Sequence, residues 1–324
     1  MKYQWDKLGL IFNPALDKNR PEWCWNFAQG QNALIFNDFV RVYFCTREKP
    51  NEQGQTVSRV IFVDLDRKNL KNIIQVCQKP VLELGRTGFF DEFGTYPFCP
   101  IRVNDLIYGY YGGLTRCESV PFNLAIGLAI SEDGGINFKK PGNGPVLSYS
   151  LDEPFVVCSP KVRFFQEQYF MFYASGTQWI KTNGRPEICY KLRMAISRDG
   201  INWEKLHRNI IADKLGKDEA QACGDIIYKN GTYHMFFCYR KSLDFRRNKE
   251  NTYRIGYAHS KDLFHWERND DRAGITISEN DHDFDSEMVA YPNVFELDGN
   301  IYMLYLGNEV GKEGFGLAKL KSEL

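Results

Sequence analysis

One turn recurs along this chain, and its spacing limits what the chain can fold into. GLAISEDGGINF (127–138), RMAISRDGINW (193–203) and GYAHSKDLFHW (256–266) each run from a strand-like stretch into Ser-x-Asp, then a tight turn, then an aromatic residue. Asp at the start of a turn accepts backbone N–H groups, and glycine supplies the dihedral angles that close it. Ser131, Ser197 and Ser260 lie about 65 residues apart. A second series keeps the same period: VRVYFCTR (40–47), LIYGYYGG (106–113), YFMFYASG (169–176), TYHMFFCY (232–239) and NIYMLYLG (300–307). Each is preceded by a short turn (Asn37-Asp38, Asn104-Asp105, Gln166-Glu167-Gln168, Asn230-Gly231, Asp298-Gly299) and, before that, by another strand. Turn-linked pairs of this kind are hairpins.

A unit of four strands repeated five times and closed into a ring is a five-bladed β-propeller of four-stranded antiparallel blades. The expected blades are 22–85, 86–147, 148–212, 213–278 and 279–324, with the N-terminal segment completing the ring. A β-sandwich needs no such even period. On this reading the 324 residues form one all-β domain.

Forty-one Lys+Arg balance forty-one Asp+Glu, which argues against a nucleic-acid partner. No stretch reaches the length and apolarity of a membrane span, and no signal-peptide run follows the N-terminus. The nine cysteines are scattered without a C-x-x-C pair, which favours buried free thiols in a reducing cytoplasm over disulfides or a zinc site. Aromatics make up 15% of the chain, a richness that suits both strands and a sugar site. The oligomeric state is not legible.

The Ser-x-Asp-Gly-x-x-Trp turn, as in Ser197–Trp203, together with the blade count, resembles the five-bladed propeller glycosidase superfamily of arabinanases, xylosidases, invertases, levanases and mannoside phosphorylases. Ser131–Phe138 also resembles the Asp-box of sialidases. FDEFGTYP and IGLAISEDGGINF resemble propeller proteins encoded among surface-polysaccharide assembly genes. The resemblance implies a carbohydrate or nucleotide-sugar ligand at the mouth of the central channel, and glycosidase-like chemistry. It implies no cofactor beyond a calcium ion that related channels can hold, for which no ligand set is legible here. The superfamily acid of the first inner strand has no counterpart in Ala28-Gln29-Gly30, nor that of the third blade in Cys158-Ser159-Pro160. Three readings stay open: a different acid pair, a transferase or phosphorylase, or a propeller that only binds glycan.

Carboxylates recur ahead of the inner strands: Asp91-Glu92, Asp152-Glu153, Asp218-Glu219, and Asp285 with Glu287. Glycoside cleavage needs two such groups, yet a carboxylate repeated once per blade also suits a turn cap. Asp91, Asp285 and Glu287 are the catalytic candidates, Glu287 because an extra residue there breaks the repeat. Candidates for binding substrate are the flat rings of Trp23, Trp25, Tyr96, Trp179 and Tyr291. Polar candidates are Gln29, Ser159, Lys161, Arg193, Asp225, Arg240 and Asn308, the arginines suiting phosphate or carboxylate.

Overall fold

The structure, a computed structural model, describes residues 2–181 and 184–324. After an N-terminal strand β1 (Trp5–Phe12), the chain lays down β2 (Asn26–Ile35), β3 (Phe39–Arg47), β4 (Ser58–Asp66) and β5 (Asn69–Val76) as one antiparallel blade. The second blade is β6 (Thr95–Val103), β7 (Leu106–Thr115) and β8 (Asn123–Ser131). The third is β9 (Val157–Phe165), β10 (Gln168–Ile180), β11 (Glu187–Ser197) and β12 (Glu204–Lys205). The fourth is β13 (Glu219–Lys229), β14 (Thr232–Lys241), β15 (Arg254–Ser260) and β16 (Glu267–Arg268). The fifth is β17 (Ala290–Leu297), β18 (Asn300–Leu306) and β19 (Phe315–Leu320), with β1 paired to β19 as its outermost strand.

Five blades are therefore present, and one departs from the expected four strands. After β8 the chain touches its blade only through isolated bridges, Ile130 with Lys139 and Ile126 with Leu147. The intervening KKPGNGPVL is too rich in Pro and Gly to hold a continuous ladder.

The Ser-x-Asp turns fold as their chemistry dictates. The Asp199 carboxylate accepts the backbone N–H groups of Ile201 and Asn202, each at 2.8 Å, and Ser197 Oγ accepts that of Gly200 at 2.8 Å. These bonds hold the Asp199 carboxyl well below the usual carboxylate range. Each turn also ties blades together. Tyr110 donates from its hydroxyl to the Gly200 carbonyl at 2.7 Å, and Tyr43 does the same to Gly135. A side chain at Gly135 would place its Cβ 2.1 Å from the Tyr43 hydroxyl, and the residue has φ +84°, so only glycine fits. Trp203 packs edge-on against Tyr110, and Trp266 against Phe172. These two rings are blade-to-blade packing.

Ring closure rests on the N-terminal segment. Tyr3 is buried, and its hydroxyl donates to that of Tyr257, which lies 2.8 Å from His234 Nδ1. Burial pushes His234 down to about 4, so it stays neutral in the folded protein. The unfolded chain takes up that proton below its ordinary pKa near 6.5. Stability should therefore fall as pH drops from about 6.5 to 4, by roughly 1–3 kcal/mol. His234→Gln should flatten that part of a pH series of urea unfolding curves. An unchanged slope would mean that His234 is not the group responsible.

Candidate functional site

The innermost strand of every blade carries a bulge, in which two residues face one on the neighbouring strand. The pairs are Gly30-Gln31, Tyr96-Pro97, Ser159-Pro160, Cys223-Gly224 and Tyr291-Pro292. Bulges re-aim side chains. Ser159, Cys223 and Tyr291 sit in the left-handed region at φ 54°, 54° and 50°, a conformation that non-glycine residues rarely adopt. Five bulges at one level make a ring of irregular backbone, the place where a propeller of otherwise regular strands can present chemistry.

A cavity of about 440 Å³ opens over this ring, and an adjoining recess of about 550 Å³ shares Arg47, Tyr96, Phe122, Arg185, Tyr190, Tyr253 and Tyr291 with it. Its floor is aromatic. Tyr253 packs edge-on against Tyr291 with centroids 5.7 Å apart, and Tyr96 lies 6.4 Å from Tyr291. Burial pushes the phenols of Tyr96, Tyr190, Tyr253 and Tyr291 up, so all four are neutral hydrogen-bonding groups. Trp179 stands on the wall, edge-on to Phe122 at 5.5 Å.

Glu187, Glu287 and Glu309 supply the carboxylates of the 440 Å³ cavity. Glu187 is engaged by Arg246 at 2.7 Å. Glu287 has an exposed side chain on a fixed backbone: its N–H donates to Asn308 Oδ1 at 2.8 Å, and its carbonyl accepts from Thr252 and Arg254. Glu309 and Val310 are consecutive left-handed residues, at φ 49° and 56°, and the Gln29 amide donates to the Val310 carbonyl. Strained backbone of this kind survives only where its surroundings over-determine it.

Sequence reasoning singled out Gln29, Tyr96, Trp179, Arg240, Tyr291 and Glu287, and the structure brings all six to this cavity, with Ser159 in the adjoining recess. Asn308 stands behind it and positions Glu287. Glu309, Arg47 and Tyr253 were missed. Glycines at 307 and 311, bracketing Asn308-Glu309-Val310 straight after a strand, were the available signal for Glu309.

The other candidates lie elsewhere. Lys161 and Asp225 belong to a buried network on the inner strands, in which Asp225 accepts from Arg163 and from Asn293 at 2.7 Å, while Lys161 donates to Asn32. Trp23 donates to the Gln78 carbonyl at 3.0 Å. Trp25 lines a separate groove with Asp285 and His282.

Asp91, Asp285 and Arg193 belong to a strut that recurs from blade to blade. Asp91 accepts from the Tyr111 hydroxyl at 2.8 Å, Glu153 from Tyr173 at 2.7 Å, and Asp285 from Tyr305 at 3.0 Å, always twenty residues apart. Each has a cation: Lys140 at 2.5 Å from Asp91, Arg193 at 3.1 Å from Glu153, Lys7 at 2.6 Å from Asp285. In the fourth blade Glu219 pairs with Arg268 at 2.6 Å, and that guanidinium lies over Tyr239, twenty residues on from Glu219. These carboxylates are buried and paired within their blades, although Asp91 keeps one buried oxygen without a partner, and none lines the cavity. Among the described residues no cluster of His, Cys, Asp or Glu is arranged to hold a metal ion.

Fold and cavity together define a class: the chain has the fold of the five-bladed propeller glycoside hydrolases and mannoside phosphorylases. A solved glycoside hydrolase superposes with a TM-score of 0.74 at 17% identity, covering 98% of this chain and 92% of that one. The β-1,2-mannobiose phosphorylase of Listeria innocua superposes at 0.70 with 12% identity, covering 98% and 96%. No protein-family model matches the sequence. The uncharacterized protein MT1551 of Mycobacterium tuberculosis is 34% identical over 328 residues, 98% of this chain and 99% of that protein, and the chain belongs to the family of that protein. A β-1,2-mannobiose phosphorylase of Thermoanaerobacter sp. is 32% identical over 119 residues, 37% of this chain and 35% of that enzyme.

Proposed function

We propose that this protein is a carbohydrate-active enzyme, glycosidase- or phosphorylase-like, that makes or breaks a glycosidic bond at the mouth of its channel. The observation that carries this reading is the tyrosine-floored cavity with Glu287 and Glu309 on its wall. Flat rings cover the apolar face of a sugar, and two carboxylates are the usual means of protonating a leaving oxygen and activating its attacker. Glu287, exposed and fixed through its backbone, is assigned as one of the pair, and Glu309 as the other. Asp91 and Asp285 are assigned as struts. The relatives that carry the fold include phosphorylases of β-1,2-mannobiose, so bond transfer to phosphate belongs to the same reading.

Work inside the cell, in surface-polysaccharide assembly, is part of the proposal. The described residues hold nine unpaired cysteines, eight of them buried, as suits a reducing compartment. Among the described residues no helix is long and apolar enough to cross a membrane.

A second reading, a propeller that binds glycan without transforming it, draws on the bulge ring, where Gln31, Tyr96, Ser159, Cys223 and Tyr291 stand and no carboxylate does. One experiment separates the two: titration calorimetry against oligosaccharides and nucleotide-sugars, with mass spectrometry of the same mixtures. The enzyme reading expects a new product, and saturable binding without product would leave only the second.

A further inference from the structure

Five cationic side chains are buried among the described residues, and they show how this chain handles such groups. Arg41 is paired with Asp64 at 2.7 Å, Arg193 with Asp152 at 2.7 Å and Lys191 with Asp213 at 2.7 Å, while Lys161 has Asp225 at 3.6 Å. Arg240 has no carboxylate within 4.0 Å, although it is only 2% exposed. Its guanidinium lies 3.6 Å from the Phe245 ring centroid and 5.1 Å from that of Tyr253. It donates to two backbone carbonyls, those of Lys241 and Ile188, and its Nε is buried without a partner. A buried charge without a counter-charge is costly. Glu187, the carboxylate that acts on it from nearby, is already held by Arg246.

The exception lines the cavity, and it is not alone there. Arg47, half-buried in the same cavity, also lacks a carboxylate partner. It lies over the Phe27 ring, reaches Gln29 at 3.3 Å, and leaves its Nε buried and unbonded. Burial pushes the Arg47 guanidinium below its usual value, and Arg185 and Arg246 push it the same way. Arg247 and Lys249 add further positive charge from the loop after β14. Two cavity-lining arginines without a carboxylate partner suit an oxyanion that arrives with the ligand, because arginine forks match carboxylate and phosphate oxygens.

Resting on the carbohydrate reading above, we infer that the substrate is an anionic sugar, whose carboxylate or phosphate ester is seated by Arg240 and Arg47. The charge belongs to the sugar because the Arg240 guanidinium lies over the rings of Phe245 and Tyr253: an anion bonded to it brings the attached ring beside Tyr253 on the aromatic floor.

The test is titration calorimetry of the full chain with glucuronate, glucose 1-phosphate, glucose and inorganic phosphate. The expected result is binding of glucuronate or glucose 1-phosphate at least 10-fold tighter than glucose, weakening as salt rises; which of the two binds identifies the oxyanion. Arg240→Gln should lose at least 10-fold for that ligand, and Arg47→Gln, at a half-buried position, should lose affinity in the same direction with little demand on folding. Arg208→Gln, exposed and away from the cavity, should bind as the parent does. Glucose bound as tightly as the acids, with both cavity variants unchanged, would overturn the anion and leave the carbohydrate reading standing. Inorganic phosphate bound as tightly as glucose 1-phosphate would show that the charge is not borne by the sugar. Binding of none of the three sugars would defeat both readings.

Discussion

Replacing Glu153 by alanine is expected to destabilise the protein by about 3–5 kcal/mol. Glu153 is fully buried and accepts from the Tyr173 hydroxyl at 2.7 Å, from Arg193 at 3.1 Å and from Lys205. Its removal leaves two cations and a phenol facing each other without the charge that held them. Arg193 keeps Asp152, but Lys205 keeps only the Ser148 carbonyl and Ser150. Glu153→Gln, which retains one acceptor oxygen and no charge, should cost less. Asp91→Ala and Asp285→Ala should follow the same direction by the same mechanism, with smaller losses, because each has one cation within ion-pair distance. Urea unfolding midpoints measure all of this. A Glu153→Ala protein within 0.5 kcal/mol of the parent would mean that the strut is ornamental and that its repetition needs another explanation.

This strut shows where sequence reasoning stops. The blade architecture was legible because its parts are local: an Asp that caps its own turn and a hairpin turn that needs left-handed residues can both be read within ten positions. The recurring carboxylates were visible too, but their role was not. Asp91 and Tyr111 are twenty residues apart, on either side of a complete inner strand, and only the antiparallel pairing of β6 with β7 brings them to 2.8 Å. The cations arrive from further still, Lys7 reaching Asp285 across the closure of the ring. Repetition suggested a turn cap, whereas in three blades the recurring carboxylate accepts from a tyrosine twenty residues on. Glu287 stood out for the opposite reason, as the acid that departs from the period. Arg47 and Tyr253 gave no such signal, since the one ends β3 and the other directly precedes β15 amid similar residues, and only the closed ring brings them to one cavity. The missing fourth strand of the second blade was hidden in the same way, because KKPGNGPVL marks a turn without saying how little ladder follows it.

Glu287→Gln is expected to lose at least about 100-fold in turnover of whichever glycan or activated sugar the protein transforms, the usual contribution of a positioned acid or base. Stability should be almost unchanged, because the bonds that fix this residue run through its backbone N–H and carbonyl, which the substitution leaves in place. The contrast with Asp91→Asn is the decisive part. Asp91 is buried against Tyr111 and Lys140, so its neutral analogue should unfold at lower urea and lose activity only in proportion to the folded fraction. Two carboxyl-to-amide changes of equal size thus separate a reacting group from a structural one: the first moves kcat and spares the unfolding midpoint, and the second does the reverse. Asn308→Ala should behave as a positioning variant, with a smaller fall in kcat restored in part by Asn308→Asp, which keeps the acceptor for the Glu287 N–H. Parental turnover in Glu287→Gln would remove it from the chemistry, and with it the assignment of Glu309 as its partner.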